Sequence, residues 1–310
     1  MCALGLGRGV AVAEPAPAAA RRVEVLLEQM SEALRSRNYE GTLVYLRDNR
    51  LETLSLVHRV DQGQVKERLI SLSGPVRALT QQPDRVMCVF PDGHPISVSR
   101  HGREPLLDTD GIDPAALGDH YRVEVLGSSR VAGRDTDVVG ILPRDDLRYG
   151  YRFHLDRDSH LPLKADLVDA SGESLEQLMF TAISLQSSDT TVSGGNGPSL
   201  RTAPPTAPPE RWQFIARPRG FQLVMYDARE QPDGTTLEHF MFTDRLSSYS
   251  VYIEDGAQDG LNGPASIGAV HAVGRKVSGY QVTAVGEVPS RTVETAVAGV
   301  RLRSGSEGGG

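Results

Sequence analysis

Eight histidines are the side chains best suited to metal ligation or proton transfer here: His58, His94, His101, His120, His154, His160, His239 and His271. None falls in an H-x-H, H-E-x-x-H or H-x-x-E-H arrangement, the spacings that bring two imidazoles onto one metal. His154-Leu155-Asp156-Arg157-Asp158 is the densest polar cluster. Asp156 and Asp158 alternate like the first ligands of a calcium loop, but no glycine or closing glutamate follows at the required positions. The run through Pro162 therefore reads as a polar turn between strands, and Asp145-Asp146 as a solvated turn. Nucleophile chemistry lacks its G-x-S-x-G elbow, and the Walker pattern G-x-x-x-x-G-K-[ST] is absent. Gly5-x-Gly7-x-Gly9 precedes no βαβ unit and lacks an acidic partner. We assign no catalytic residue, no metal ligand and no cofactor, and expect a protein that is not an enzyme.

Bulk properties narrow the partners. The 310-residue chain carries 33 Lys and Arg against 40 Asp and Glu, a net charge of −7, so nothing in bulk charge invites nucleic acid or anionic lipid. No apolar run reaches the roughly 20 residues needed to span a bilayer. Leu4 to Ala13 is small and apolar, and Ala11-Val12-Ala13 has the A-x-A form of a signal-peptidase site, although a basic leading region is missing and Arg8 interrupts the run. Residues 1–20 read as the remainder of a truncated signal peptide, or as a disordered Ala/Pro-rich terminus. Cys2 and Cys88 are the only cysteines; Cys88, within Val86-Met87-Cys88-Val89-Phe90, reads as a buried inert thiol.

The elements that would position a site are mostly strands. Val23, Leu26, Leu27, Met30 and Leu34 recur at helical spacing with Glu24, Glu28, Glu32 and Arg35 opposite, and Asn38 is a residue suited to closing that helix. Strand-like runs then follow over residues 39–46, 51–60, 65–72, 85–90, 121–126, 137–142, 148–155, 163–168 and 175–185, separated by turn residues such as Asp61-Gln62-Gly63 and Pro91-Asp92-Gly93. Short spacing with few helical intervals predicts an antiparallel meander. Over residues 148–156, Tyr149, Tyr151, Phe153 and Leu155 share one face, while Arg148, Arg152, His154 and Asp156 share the other, predicted to be wet. Elsewhere both faces are apolar, as at Leu43–Leu46, Leu54–Val57 and Leu178–Phe180. Such strands are doubly buried core, or they line a lipid-like groove; the groove candidates are Leu54, Leu56, Met87, Phe90, Tyr149, Tyr151, Phe153 and Met179.

Composition shifts at Ser187. The stretch to Glu210 holds Gly194-Gly195-Asn196-Gly197, Pro204-Pro205 and Pro208-Pro209 with hardly a large apolar residue, and reads as a flexible linker. At 24 residues its r.m.s. span is roughly 27 Å. The expected organisation is therefore residues 1–20 residual signal or disordered, 21–186 a large β domain, 187–210 linker, 211–303 a small domain and 304–310 a disordered tail. In the small domain Trp212 reads as a core anchor, and a helix after Pro289-Ser290 places Val293, Ala296, Val297 and Val300 on one face.

Several segments, taken in order, resemble the RseB/MucB family. They are Asn38-Tyr39-Glu40-Gly41-Thr42-Leu43-Val44-Tyr45, the hairpin His58-Arg59-Val60-Asp61 with Glu67-Arg68-Leu69, Gly133-Arg134, and Arg148-Tyr149-Gly150-Tyr151 running on through Leu155 to Lys164. Gly172-Glu173-Ser174-Leu175-Glu176-Gln177 follows, then Trp212, Pro218-Arg219-Gly220-Phe221 and Val285-Gly286-Glu287-Val288-Pro289.

The resemblance implies a mainly β protein (α+β): an unclosed antiparallel β-barrel around a helix, like the lipoprotein carriers LolA and LolB, plus a smaller antiparallel sheet domain with a C-terminal helix. It implies a periplasmic location and a negative regulator of a sigma-E-type envelope-stress factor. Such a regulator binds the periplasmic domain of an inner-membrane anti-sigma factor and shields it from proteolysis. Lipid-like ligands, such as lipopolysaccharide or lipoprotein acyl chains, release it, and the smaller domain is associated with the partner. No nucleic acid partner is expected, and a homodimer is left open. The alternative is a periplasmic lipoprotein carrier of LolA/LolB type, which would need only one domain.

Overall fold

The computed structural model describes residues 16–61, 64–73, 78–82, 85–89, 95–99, 117–186, 210–231, 234–255 and 260–303. Helix α1 spans Ala16–Ser36. It starts seven residues ahead of Val23, where the apolar periodicity begins, because Ala16–Ala20 is rich in the strongest helix former. Val23, Leu26, Leu27, Met30 and Ala33 are buried along one stripe. Asn38 does not close the helix. It opens the first strand, and its Oδ1 accepts the Val60 amide at 2.7 Å, so the side chain that suits a cap ties two strands together instead.

Six strands follow: β1 (Asn38–Arg47), β2 (Arg50–Asp61), β3 (Gln64–Ser71), β4 (Ala78–Gln82), β5 (Arg85–Val89) and β6 (Pro95–Ser99). Five more are β7 (Tyr121–Val131), β8 (Arg134–Pro143), β9 (Gly150–Asp156), β10 (Pro162–Val168) and β11 (Ser174–Gln186). Among the described residues they form one antiparallel sheet in the order β6-β5-β4-β3-β2-β1-β11-β10-β9-β8-β7. The chain thus walks from the middle to one edge, restarts at the other edge and returns to the middle, where β1 pairs with β11. The ends β6 and β7 do not pair, so the sheet stays unclosed. β7 runs past the Leu126 end expected for it because a bulge between Val125 and Gly127 absorbs the Gly-Ser-Ser sequence without breaking the ladder.

α1 lies on one face of this sheet. Val23, Leu26, Leu27 and Met30 pack with Val139, Ile141, Phe153 and Leu155 in one cluster, while Leu43, Leu54, Leu56 and Phe180 centre a second. Each fully buried aliphatic or aromatic side chain contributes about 1.5–3 kcal/mol.

The C-terminal part has its own sheets. A two-stranded one pairs β12 (Trp212–Phe214) with β19 (Val300–Leu302). A six-stranded one comprises β13 (Gln222–Glu230), β14 (Thr236–Thr243), β15 (Ser248–Asp255), β16 (Gly263–Ile267), β17 (Val270–Val277) and β18 (Tyr280–Gly286), in the order β13-β14-β15-β18-β17-β16. Helix α2 (Ser290–Ala298) covers one face through Val293, Ala296 and Val297. Val300, expected on that helical face, follows the terminating Gly299 and is buried on β19 instead. Trp212 sits in this core, its Nε1 donating to Glu238 at 2.7 Å.

One facing pattern is corrected. β9 begins at Gly150, so Arg148 lies in the loop before it, and Arg148 and Asp156 are fully buried rather than wet. Asp156 is neutralised by a bidentate Arg134 pair, at 2.8 and 2.9 Å, and by the Ser159 amide. A buried charge is tolerated only when paired and hydrogen-bonded, and alternation along one strand does not reveal such partners.

Candidate binding site

The residues expected to line a groove fall into separate places. Leu54 and Leu56 are buried beside Leu43 and Phe180, with Met179 packed at the margin of that cluster. Phe153 is buried under α1, with Tyr151 stacked on it at 5.5 Å between ring centroids. Tyr149 belongs to a third cluster with Leu167 and Ala269, and Tyr151 touches that one too. Met87 falls on β5, and Phe90 lies outside the described residues. Tyr151 and, from the C-terminal part, Leu246 both pack against the cluster under α1.

Those sheets meet the large one along a seam with its own polar chemistry. At its centre Arg148 is closed off from water. Its guanidinium donates to Asp145 Oδ1 at 2.8 Å, to Asp244 Oδ2 and to the Arg219 carbonyl. It lies over the rings of Tyr121 and Phe221, 5.7 and 5.0 Å from their centroids. Burial works against the Arg148 charge, but the Asp145 bond and the field of Asp244 outweigh it and hold the proton more firmly than usual. Tyr121 donates its hydroxyl to Asp244 at 2.8 Å. Burial first, and then the Asp244 charge, push that hydroxyl's pKa well above the usual tyrosine range.

A second contact is made by the tip of the β16–β17 hairpin. The buried Ala269 donates its amide to Glu176 Oε1 at 3.1 Å, while Tyr45 donates its hydroxyl to the other Glu176 oxygen. Thr292 at the start of α2 donates to the Leu147 carbonyl, and Arg291 pairs with Asp146.

Between these contacts lies a cavity of about 240 Å³, lined by Tyr151, Met241, Leu246, Tyr249, Val285 and Glu287 among others. Tyr151 donates to Glu287 at 3.3 Å. Glu287 is open to solvent along one side but backed by protein; that lost hydration, and then the Glu176 charge, hold its carboxyl above the ordinary glutamate range. Burial and the nearby acids Asp169, Glu287 and Glu176 push Tyr149 up to about 12. The cavity's lining is more polar than apolar, with Ser247, Ser248 and Ser250 beside Tyr151 and Glu287. Among the described residues, no group of three or more His, Cys, Asp or Glu side chains is placed to hold a metal, and no helix is long and apolar enough to cross a membrane.

Sequence reading missed Tyr121, Asp244, Glu176 and Glu287 as seam residues and placed Arg148 in water. Asp244-Arg245-Leu246-Ser247 was legible as turn chemistry, since Asp244 Oδ1 accepts the amides of Leu246 and Ser247. Nothing in the chain announces that its second oxygen meets an arginine 96 positions earlier.

Known proteins share both parts. Residues 22–205 match the MucB/RseB N-terminal domain family and residues 206–301 the MucB/RseB C-terminal domain family. The sigma factor AlgU regulatory protein MucB of Pseudomonas aeruginosa is 30% identical over 296 residues, 91% of each chain. The sigma-E factor regulatory protein RseB of Escherichia coli K12 is 27% identical over 283 residues, 87% of each. In the solved MucA/MucB complex of Pseudomonas aeruginosa, a chain 28% identical superposes with a TM-score of 0.68, covering 91% of this chain and 99% of that one.

Proposed function

The chain belongs to the MucB/RseB family, and from that premise we propose that it is a periplasmic regulatory binding protein that holds the periplasmic segment of an inner-membrane anti-sigma factor. In this reading it shields that segment from proteolysis, restrains a sigma-E-type factor and lets go when a lipid-like ligand binds. The observation that carries the reading is the likeness of the whole two-part chain to a MucB solved together with MucA. The small sheets, residues 211–303, take part in holding the partner, and the 187–210 segment links them to the large sheet. The carrier alternative has less support, because a carrier has no use for a second unit bolted to the first through buried charges.

The switch has a modest energetic requirement. A thousandfold change in partner affinity needs about 4 kcal/mol of differential ligand binding. Burying roughly 160 Å² of acyl chain supplies that gross amount at ~25 cal/mol per Å². Of the groove candidates, Tyr151 and Met179, each partly buried at the margin of its cluster, are the proposed receptor residues.

The test is a titration of the purified full chain with the anti-sigma periplasmic segment, followed by lipid A added to the complex. Submicromolar binding, protection of the segment from its protease and release by lipid A are expected. Absence of binding sinks the regulatory reading, and an intact complex at saturating lipid sinks its ligand arm.

A further inference from the structure

Each side of the seam between the two parts holds its charged residue with contacts of its own. On the large-sheet side, Arg148 is held by Asp145 in its own loop, three residues away. On the other side, Asp244 is fixed by the Leu246 and Ser247 amides within the β14–β15 turn, which leaves Oδ2 aimed outward. Docking joins the two: both side chains then have no exposure to water, and Tyr121 and the Arg219 carbonyl complete the set. Next to that carbonyl, Gly220 adopts a φ of 88°, and any Cβ there would run into the ring of His120 across the seam. The close approach is therefore specific to glycine.

An ionic junction differs from an apolar one in how it opens. Separated, each charge recovers its hydration, which nearly offsets the lost pairing. Keeping one charge buried without the other is what costs most. Residues 187–210, 24 positions of chain, keep the two parts covalently tethered when the seam opens.

We infer that Arg148 is the positioning residue that fixes the mutual placement of the two parts, a reversible ionic bolt to Asp244, and that a partner held across both parts needs the bolt closed. The second half of this inference rests on the partner-holding function proposed above; the first half does not.

The experiment uses the full chain with Arg148→Met, Asp244→Asn, Gly220→Ala and the apolar double variant Arg148→Met/Asp244→Leu. Small-angle scattering reads the placement, far-UV circular dichroism and Trp212 fluorescence read the sheets, and titration with the anti-sigma periplasmic segment reads the partner. Each charge variant should expand the molecule with its sheets intact and weaken partner binding at least about tenfold, the scale set by an uncompensated buried charge. The apolar double should return to compact scattering. Gly220→Ala leaves both charges in place and reads what the close approach alone contributes, so it serves as the packing control. Compact scattering in the charge variants that keep their sheets overturns the inference, and so does an apolar double that stays expanded with its sheets intact. If the wild-type chain fails to bind the segment, the regulatory reading falls while scattering still decides the bolt.

Discussion

Arg134–Asp156 and Arg148–Asp244 use the same two residue types, and each buries its aspartate. The first spans 22 positions and staples the start of β8 to the end of β9 within one sheet. The second spans 96 positions and joins two separate sheets. Arg134 keeps one side in water at 30% exposure, whereas Arg148 keeps none. The local pair reinforces a ladder that backbone hydrogen bonds already specify. Among the described residues no ladder crosses where the distant pair stands, and it shares the seam with the Ala269–Glu176, Thr292–Leu147 and Arg291–Asp146 contacts. Both differ from the apolar clusters under α1 and α2, which hold each part together without directing it.

That contrast can be broken in order of expected effect. Phe153→Ala removes a buried ring from the cluster under α1 and should destabilise the large sheet by about 3–5 kcal/mol. Calorimetry should show its transition falling while the Trp212-reported one stays. If both fall together, the two parts are one cooperative unit and the seam is more than a bolt. Asp156→Asn next weakens the local pair and should cost about 1–3 kcal/mol in the same transition. Scattering should remain compact, because the seam is untouched; expansion would erase the distinction between local and distant pairs.

Acid sharpens it further. Burial opposes the Asp156 charge, but the Arg134 and Ser159 donors outweigh burial and hold the carboxyl below its usual range. Asp166 is held low in the same way, burial being outweighed by His154 and Lys164. Their contribution to stability is complete above the unfolded aspartate pKa of about 3.9 and is lost as pH falls through the depressed folded values. Denaturation curves of Arg134→Leu should therefore have a shallower acid limb than the wild type, and an unchanged limb would remove Asp156 from the account. Tyr121 and Tyr149 act in the opposite window. Their raised folded values keep the seam intact below about pH 10 and weaken it as alkali approaches them, which scattering at rising pH should show. The smallest effect belongs to Ile215→Ser, on a side chain 64% exposed, expected within about 0.5 kcal/mol of wild type in urea. A larger loss there would mean that this surface is covered.

Much of the fold was legible because its signals are local. The alternation in β9 and the amphipathic stripe of α1 each lie within a dozen residues. The short strands β4, β6, β12, β16 and β19 escaped notice because Gly263-Pro264-Ala265-Ser266-Ile267 and its like carry no alternation and become strands only by pairing with neighbours. The candidate site was half legible. Leu54, Leu56 and Phe153 were recognisable as apolar, but which cluster each joins depends on strand order, which pairs β1 with β11 across more than a hundred residues.

By itself the sequence determined that this is a strand-rich chain with a leading helix. Those properties follow from periodicity and residue type, which act over a few neighbours. Only the tertiary structure decided that Arg148 is buried rather than wet, that Asp244 is its counter-charge and that Tyr151 stands between two cores. Charge compensation in a protein interior depends on distance in space, and a chain that folds back on itself puts that distance beyond anything its local pattern encodes.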